Sequence, residues 1–486
     1  MYDLPQCVEE YSYEDRFQKY SELEPTSIII TSWLLFIFVA TLLEKKTSIG
    51  SLSMKTSWQE LTQKRTSKLN CVDYIRVAAI LWVMVNHIGS EGRIDILERL
   101  PSAATFKENI HSHPFFGPVF GNSALGVEIF LVLSGLLAAR SWSRFQMSSK
   151  RLDRTYVCFL VKRIFRLFPS VAVFVWLAQG SYSKQYLPRF WNTMISSCGW
   201  KGFAAHLTFT GNWQSAPTCL GYLWYLGLDA QLYALAPILM IALSRHAALG
   251  TLLIGGLILI STALRAWYCT FYDICNKSDI DIPFISYPNQ TAEDLERIYR
   301  GLWDIYSRPC TKCGPFFIGM FAGYLSTKIG ETPKITQRVL KFINFLAVVG
   351  ILFCIFGILP QYHSNVATTY DMIYTAIFRS LFALCVTWII LYCIYWSPLE
   401  FSPLFSILAQ LTFQAYLIHM PVVYLTNHIN FLQTAEGPWA VLCVLPFVAI
   451  LSYAGALLLY LFVESPMAKL ANGLYDFLED LVKTYI

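Results

Sequence analysis

The sequence predicts an all-α, polytopic membrane helix bundle of about eleven transmembrane helices, one anchor followed by a ten-helix core. Three observations predict it. Of 486 residues, 55 % are hydrophobic and only 14 % are charged, too few to cover a water-facing surface. Aromatics reach 16 %, enough to furnish belts at both membrane interfaces. Long apolar runs recur along the whole chain, each close to the roughly 20 residues a crossing needs. The same arithmetic excludes a secreted disulfide scaffold, a disordered tail protein and a nucleic-acid-binding domain.

The runs lie near 26–43, 72–89, 122–142, 164–180, 221–243, 248–268, 315–329, 342–359, 371–396, 404–424 and 438–463. The run at 164–180 starts among basic residues, and 315–329 is short. Residues 1–25 form an acidic tail (Asp3, Glu9, Glu10, Glu14, Asp15, Glu22 and Glu24 against Arg16 and Lys19), followed by the anchor at 26–43. The linker at 44–70 is basic, with Lys45, Lys46, Lys55, Lys64, Arg65 and Lys68. Acidic before and basic after is the reverse of a cleaved signal peptide, and it places the N-terminus outside, in the lumen. Residues 71–468 form the core domain, and 469–486 an amphipathic tail on the cytosolic side.

Counting crossings from that start, with Arg140, Arg166, Lys328 and Asp371 at the ends of their runs assigned to the adjoining loops, gives the cytosolic loops a net charge of +12 and the exterior loops −7, which accounts for the net +5 of the chain. The densest basic stretch, Arg140 to Arg166, falls inside. Two glycosylation sequons, at Asn276 and Asn289, fall in one exterior loop, 269–314. Cys198, Cys219, Cys269, Cys275, Cys310 and Cys313 lie on the same side, where an oxidising lumen predicts disulfides among them. Cys310 and Cys313 have a metal-type spacing, but no second half with ligand spacing accompanies them, so no metal is expected.

Ionisable groups inside apolar runs cost about 2.5–3.5 kcal/mol each on insertion and default to functional candidates. This chain has Asp73, Arg76, Glu128, Asp229, Arg265 and Arg379. Their charges cancel, which predicts mutual pairing; for Arg265 and Arg379 structural and functional roles weigh equally. Arg76 and His87 are eleven residues apart, so they share one helical stripe at roughly 16 Å axial separation. That arrangement suits a long ligand with an anionic head at Arg76 and a reactive end at His87, since guanidinium matches phosphate and imidazole moves protons near neutral pH. The bland reading makes His87 a helix-end polar residue. Glu128 enters its helix at a similar depth and is expected to orient or stabilise the imidazole. Ser134 and Gly135 read as small residues permitting close helix contact.

Together these segments resemble the acyltransferase 3 family. Arg76 and His87 match its Arg/Lys-x10-His motif. Gly126-Val-Glu128-Ile-Phe-Leu-Val-Leu-Ser134-Gly135 matches its second signature, with Leu131 where a second Phe is usual. Arg163-Ile-Phe-Arg166-Leu-Phe-Pro169, Leu223-Trp224-Tyr225-Leu-Gly-Leu-Asp229-Ala-Gln231-Leu-Tyr233, Tyr416-Leu-Ile-His419 and Val463-Glu464-Ser-Pro466 resemble later ones. The Trp-Tyr-Asp variant is similar to the nose-resistant-to-fluoxetine branch, many members of which have a large Cys-rich exterior domain where this sequence has its short acidic tail. The resemblance implies acyl-CoA as co-substrate, entering from the cytosol, and an acyl acceptor that is a lipid, sugar or protein. It implies His87 as the catalytic residue with Glu128, Arg76 in donor binding, Arg163 and Arg166 at the nucleotide phosphates, and Asp229, Arg379 and His419 as cavity residues. For Arg163 and Arg166 positive-inside bias is an equal alternative. The His-x4-Asp motif of soluble acyltransferases is absent at all eight histidines.

A membrane O-acyltransferase is therefore the favoured function, in the endoplasmic reticulum, where lumenal glycosylation and cytosolic acyl-CoA meet, with the plasma membrane as the alternative. Two alternatives stand beside it: a multi-pass regulator of signalling and a lipid or small-molecule transporter, the latter without any sign of inverted repeats.

Overall fold

The computed structural model describes residues 13–43, 48–64, 69–89, 112–122, 124–148, 152–215, 219–277, 292–329, 332–362, 366–426, 438–470 and 473. Among them the secondary structure is helical throughout. The principal helices are α1 (Tyr13–Leu42), α2 (Met54–Thr62), α3 (Asn70–Gly89), α4 (Leu125–Ser148), α5 (Leu152–Gln179), α6 (Trp224–Arg245) and α7 (Ala247–Phe271). They continue with α8 (Ala292–Ser307), α9 (Pro309–Lys328), α10 (Gln337–Phe356), α11 (Thr369–Tyr395), α12 (Pro403–Thr426) and α13 (Pro438–Leu459).

Eight segments are long and apolar enough to cross a membrane: Asn70–Ile88, Leu125–Gln146, Gly221–Arg245, Ala247–Phe271, Gln337–Gln361, Thr369–Tyr395, Pro403–Thr426 and Val441–Leu470. The chain is a polytopic membrane bundle. The other three expected spans are helical but differ in kind. The run at 26–43 is the apolar end of α1, of which Ser27–Leu42 is the apolar part. The run at 164–180 is the second half of α5, whose middle carries Lys162, Arg163 and Arg166. The run at 315–329 belongs to α9, which begins earlier, with Pro309 in its first turn where no amide donor is needed.

Burial separates the helices. α4 and α9 are enclosed, whereas α7 and α10 keep long rows of exposed Leu, Ile, Val and Phe, the surface a helix presents to lipid. α4 and α9 cross at the centre of the bundle, and glycine allows it. A Cβ on Gly135 would sit 2.0 Å from the Phe316 carbonyl oxygen, and one on Gly319 would sit 2.0 Å from that of Val132. Gly135 thus has the close-contact role expected of it. α3, α12 and α13 pack on one side of this pair, and α10 and α11 on the other. α11 starts with a reciprocal capping box between Thr368 and Asp371. On the side expected to be exterior, α8 and the segment around Asn212 close the bundle. There Arg308 bonds Asp304 and the Asn212 carbonyl, and Trp303 Nε1 donates to the Gln214 carbonyl at 2.8 Å.

Two disulfides form, Cys198–Cys219 and Cys269–Cys275. Cys310 and Cys313 are free, because they begin a helix and Cys313 turns into its buried face. Asn276 is only 8 % exposed, beside the Cys269–Cys275 bridge, so its side chain lies against protein rather than solvent. Asn289 lies outside the described residues, as does nearly all of the expected tail at 469–486.

Candidate functional site

A cavity of about 140 Å³ opens between α3, α4, α5, α6 and α12. Arg76, Arg163 and Arg166 all line it, with Ser134, Tyr225, Asp229, Gln410 and Tyr416. These three arginines come from two helices and converge because α5 leans on α4 and α12 at the level of the second turn of α3. Arg163 Nη2 binds Asp229 Oδ2 at 2.5 Å, and its guanidinium lies 4.7 Å from the Tyr233 ring centre. The Ser134 hydroxyl donates to the other oxygen of Asp229. Asp229 is thereby neutralised, leaving the cavity net positive. Arg166 stands more than half exposed at the mouth, 3.6 Å from Glu464.

Val83 on α3 and Tyr416 on α12 form the far wall of this cavity. One turn further along both helices stand His87 and His419, ring centres 5.0 Å apart. His419 is fully buried, and its Nδ1 lies 2.6 Å from the Tyr416 carbonyl oxygen. A carbonyl only accepts, so Nδ1 carries the proton and Nε2 is the lone-pair nitrogen. That nitrogen is buried and has no hydrogen-bond partner among the described residues. The rings of Tyr416 and Tyr222 stand 5.7 and 5.6 Å from His419 and seal it from lipid.

A second buried cluster lies deeper. Glu128 Oε1 accepts from Lys312 Nζ at 2.5 Å and from Arg379 Nη1 at 2.6 Å. Lys312 also lies 4.3 Å from the Tyr306 ring centre. Trp224, 4.6 Å from Tyr306 and 6.2 Å from Tyr225, separates this cluster from the cavity.

A family profile described as an acyltransferase domain matches residues 69–461. The chain belongs to the acyltransferase 3 family. It is 49 % identical over 448 residues to the "Regulator of hypoxia-inducible factor 1" of Caenorhabditis elegans, covering 91 % of this chain and 88 % of that one. It is 24 % identical over 424 residues to "Nose resistant to fluoxetine protein 6" of the same animal, over 78 % of this chain and 48 % of that longer protein. No solved structure matches. The motif resemblance to the acyltransferase 3 family and to its nose-resistant-to-fluoxetine branch agrees with these matches.

For this acyltransferase 3 chain, the predicted residues fall into two groups. Arg76, Arg163, Arg166 and Asp229 come together at one cavity, and His87 and His419 pair just beyond it. Glu128 and Arg379 do not join them. The expectation that Glu128 orients His87 gives way to a different geometry: the carboxylate is taken up by two cations across α9 and α11, which holds the bundle together. The expected pairing of the span charges with each other is also only partly met. Arg265 engages no carboxylate among the described residues; its guanidinium donates to the carbonyls of Ala376 and Thr311 and to Ser380. Ser134, expected only as a small packing residue, is a hydrogen-bond donor in the site.

Lys312 was missed, counted as a loop residue just before a short span. Its sequence signal is a lone Lys in Thr311-Lys312-Cys313-Gly314-Pro315, one turn ahead of an apolar run. Tyr225 and Tyr416 sit inside quoted motifs, but nothing in their spacing distinguishes cavity walls from belt aromatics.

Proposed function

We propose that the protein transfers an acyl group from cytosolic acyl-CoA to an acceptor hydroxyl in or across the membrane, with His87 as the catalytic residue. The observation that carries this reading is the convergence of Arg76, Arg163 and Arg166 on a cavity whose walls continue to His87 and His419. Phosphate groups of the donor lie against the arginines, and the pantetheine arm runs along α3 toward the histidines. His87 removes the acceptor proton as the acceptor oxygen attacks the thioester carbonyl. The carbon–sulfur bond then breaks, and the CoA sulfur leaves with the proton returned from the imidazolium. His419 is a positioning residue that offers its buried Nε2 as a hydrogen-bond acceptor beside His87. Asp229 fixes Arg163, and Glu128 with Lys312 and Arg379 fixes the helices.

The charge asymmetry of the loops supports an N-terminus in the lumen and a C-terminus in the cytosol. The two disulfides, both in segments assigned to the exterior, support the same sidedness. That topology is compatible with endoplasmic reticulum residence and with glycosylation at Asn289. The printed name of the 49 % identical relative adds a role: the product of the transfer serves regulation of the oxygen response.

Purified protein in lipid nanodiscs, given acyl-labelled acyl-CoA and a membrane lipid extract, should move label into a product; His87→Ala should not. In a nematode lacking the relative, this chain should rescue and its His87→Ala variant, made at normal levels, should fail. Full rescue by that variant would make the protein a regulator or transporter built on this fold.

A further inference from the structure

A cavity larger than the one between the arginines and histidines lies elsewhere in the bundle. It is a basin of about 560 Å³ at the C-terminal end of α4, between that helix, α6 and α9. Arg140, Arg144 and Lys328 line it, together with Ser143, Ser244 and Thr327, and its described lining residues include no carboxylate. Arg144 and Lys328 are exposed, so the basin opens to water. Arg140 is held in place: its Nη1 donates to Ser326 Oγ at 2.9 Å. Nearby, the Tyr324 hydroxyl donates to the Leu243 carbonyl at 3.1 Å. Leu137 belongs to the walls of both the basin and the inner cavity. On α4 the residues that face this path are Ser134 and Leu137 inside, then Arg140, Ser143 and Arg144 outside. These three-residue steps follow an inclined row that winds around the helix from the inner cavity to the basin, about 15 Å along the axis from Ser134 to Arg144.

We propose that this basin is a second phosphate-binding site, which takes the 3′-phosphate end of the donor nucleotide, while the inner arginines face its diphosphate. The assignment rests on the acyl-CoA reading above. The inner site alone is poorly suited to the whole nucleotide. Its cavity is a quarter of the size of the basin, and Arg163 is already committed to Asp229. The basin offers what a phosphomonoester dianion requires: three cations, hydroxyl donors, no carboxylate among its described lining residues, and access from the basic, cytosolic face. An anionic lipid headgroup carries the same phosphate chemistry, and the test separates the two.

The experiment compares binding of CoA and 3′-dephospho-CoA to full-length protein in nanodiscs of phosphatidylcholine alone and of phosphatidylcholine with phosphatidylserine. Wild-type protein should bind CoA roughly tenfold or more tightly than the dephospho form, the value of one charge-assisted contact. Arg140→Gln with Arg144→Gln, and separately Lys328→Gln, should weaken CoA and leave 3′-dephospho-CoA unchanged, with the same result in both lipid mixtures. Equal affinity of the wild type for both nucleotides, or equal loss for both in the variants, overturns the basin while the acyl-CoA reading stands. Variants that lose phosphatidylserine retention but not CoA affinity assign the basin to lipid. Absence of binding by either nucleotide overturns the acyl-CoA reading and the basin with it. A variant that fails to fold is replaced by Ser143→Asp, which places a carboxylate in the basin and should likewise weaken CoA alone.

Discussion

His87, Arg76 and Lys312 show how differently single charged or titratable residues act in an apolar bundle. His87→Ala should abolish transfer, by at least about 10²-fold for a lost proton-transfer group, while CoA affinity and melting temperature stay near wild type. Arg76→Ala should instead raise the donor KM. The measurement for both is steady-state kinetics beside a direct CoA titration, and a His87→Ala protein that loses CoA binding would point to a structural role. Lys312 is fully buried against Glu128. Lys312→Met leaves that carboxylate with Arg379 only and should cost about 3–5 kcal/mol, the penalty of breaking one side of a buried ion pair. Thermal unfolding in detergent measures it. A Lys312→Met protein that melts like the wild type would show that Arg379 alone satisfies Glu128. The site was partly legible at this scale. Arg76, His87 and His419 were readable because span charges and histidines are rare and motif-bound. The pairing of Glu128 was not, because α9 and α11 are distant in sequence and their approach is a tertiary event.

Among the helices, the crossing of α4 and α9 positions everything else. It brings Ser134 to Asp229, Glu128 to Lys312, and the row from Ser134 to Arg144 along both cavities. Gly319→Val would drive a side chain into the Val132 carbonyl, and neither backbone can move without repacking the centre. It should lower stability by more than about 3 kcal/mol and abolish transfer together. Gly255→Ala, on lipid-facing α7 with no atom within 4 Å of the added Cβ, is the control. It should raise stability by about 0.5–1 kcal/mol through helix propensity. Melting curves of the two variants check both. Equal melting temperatures would remove the close crossing from the account. The sequence marks Gly135 within a motif, but not Gly319 as its partner, since glycine in an apolar helix is common and only the facing backbone gives it meaning.

Across the whole molecule, the opposed loop charges and the two disulfides support the proposed orientation, which labelling tests. Cysteine-directed labelling should find Cys198, Cys219, Cys269 and Cys275 unreactive until reduced, while exposed Cys310 reacts at once from the exterior side. Reaction of Cys310 only after permeabilisation would reverse the topology. The sequence by itself determined the class of the molecule, its helical content, most of its spans and its family motifs. All of these follow from local composition, helical period and charge bias, which any segment carries without reference to another. The tertiary structure alone decided which charges meet, that Glu128 pairs with Lys312 and Arg379, that His87 and His419 stand together, and that two cavities share Leu137. In lipid the hydrophobic effect does not choose among apolar helix faces. The choice falls to close packing and to the few polar groups that must find partners across helices far apart in sequence.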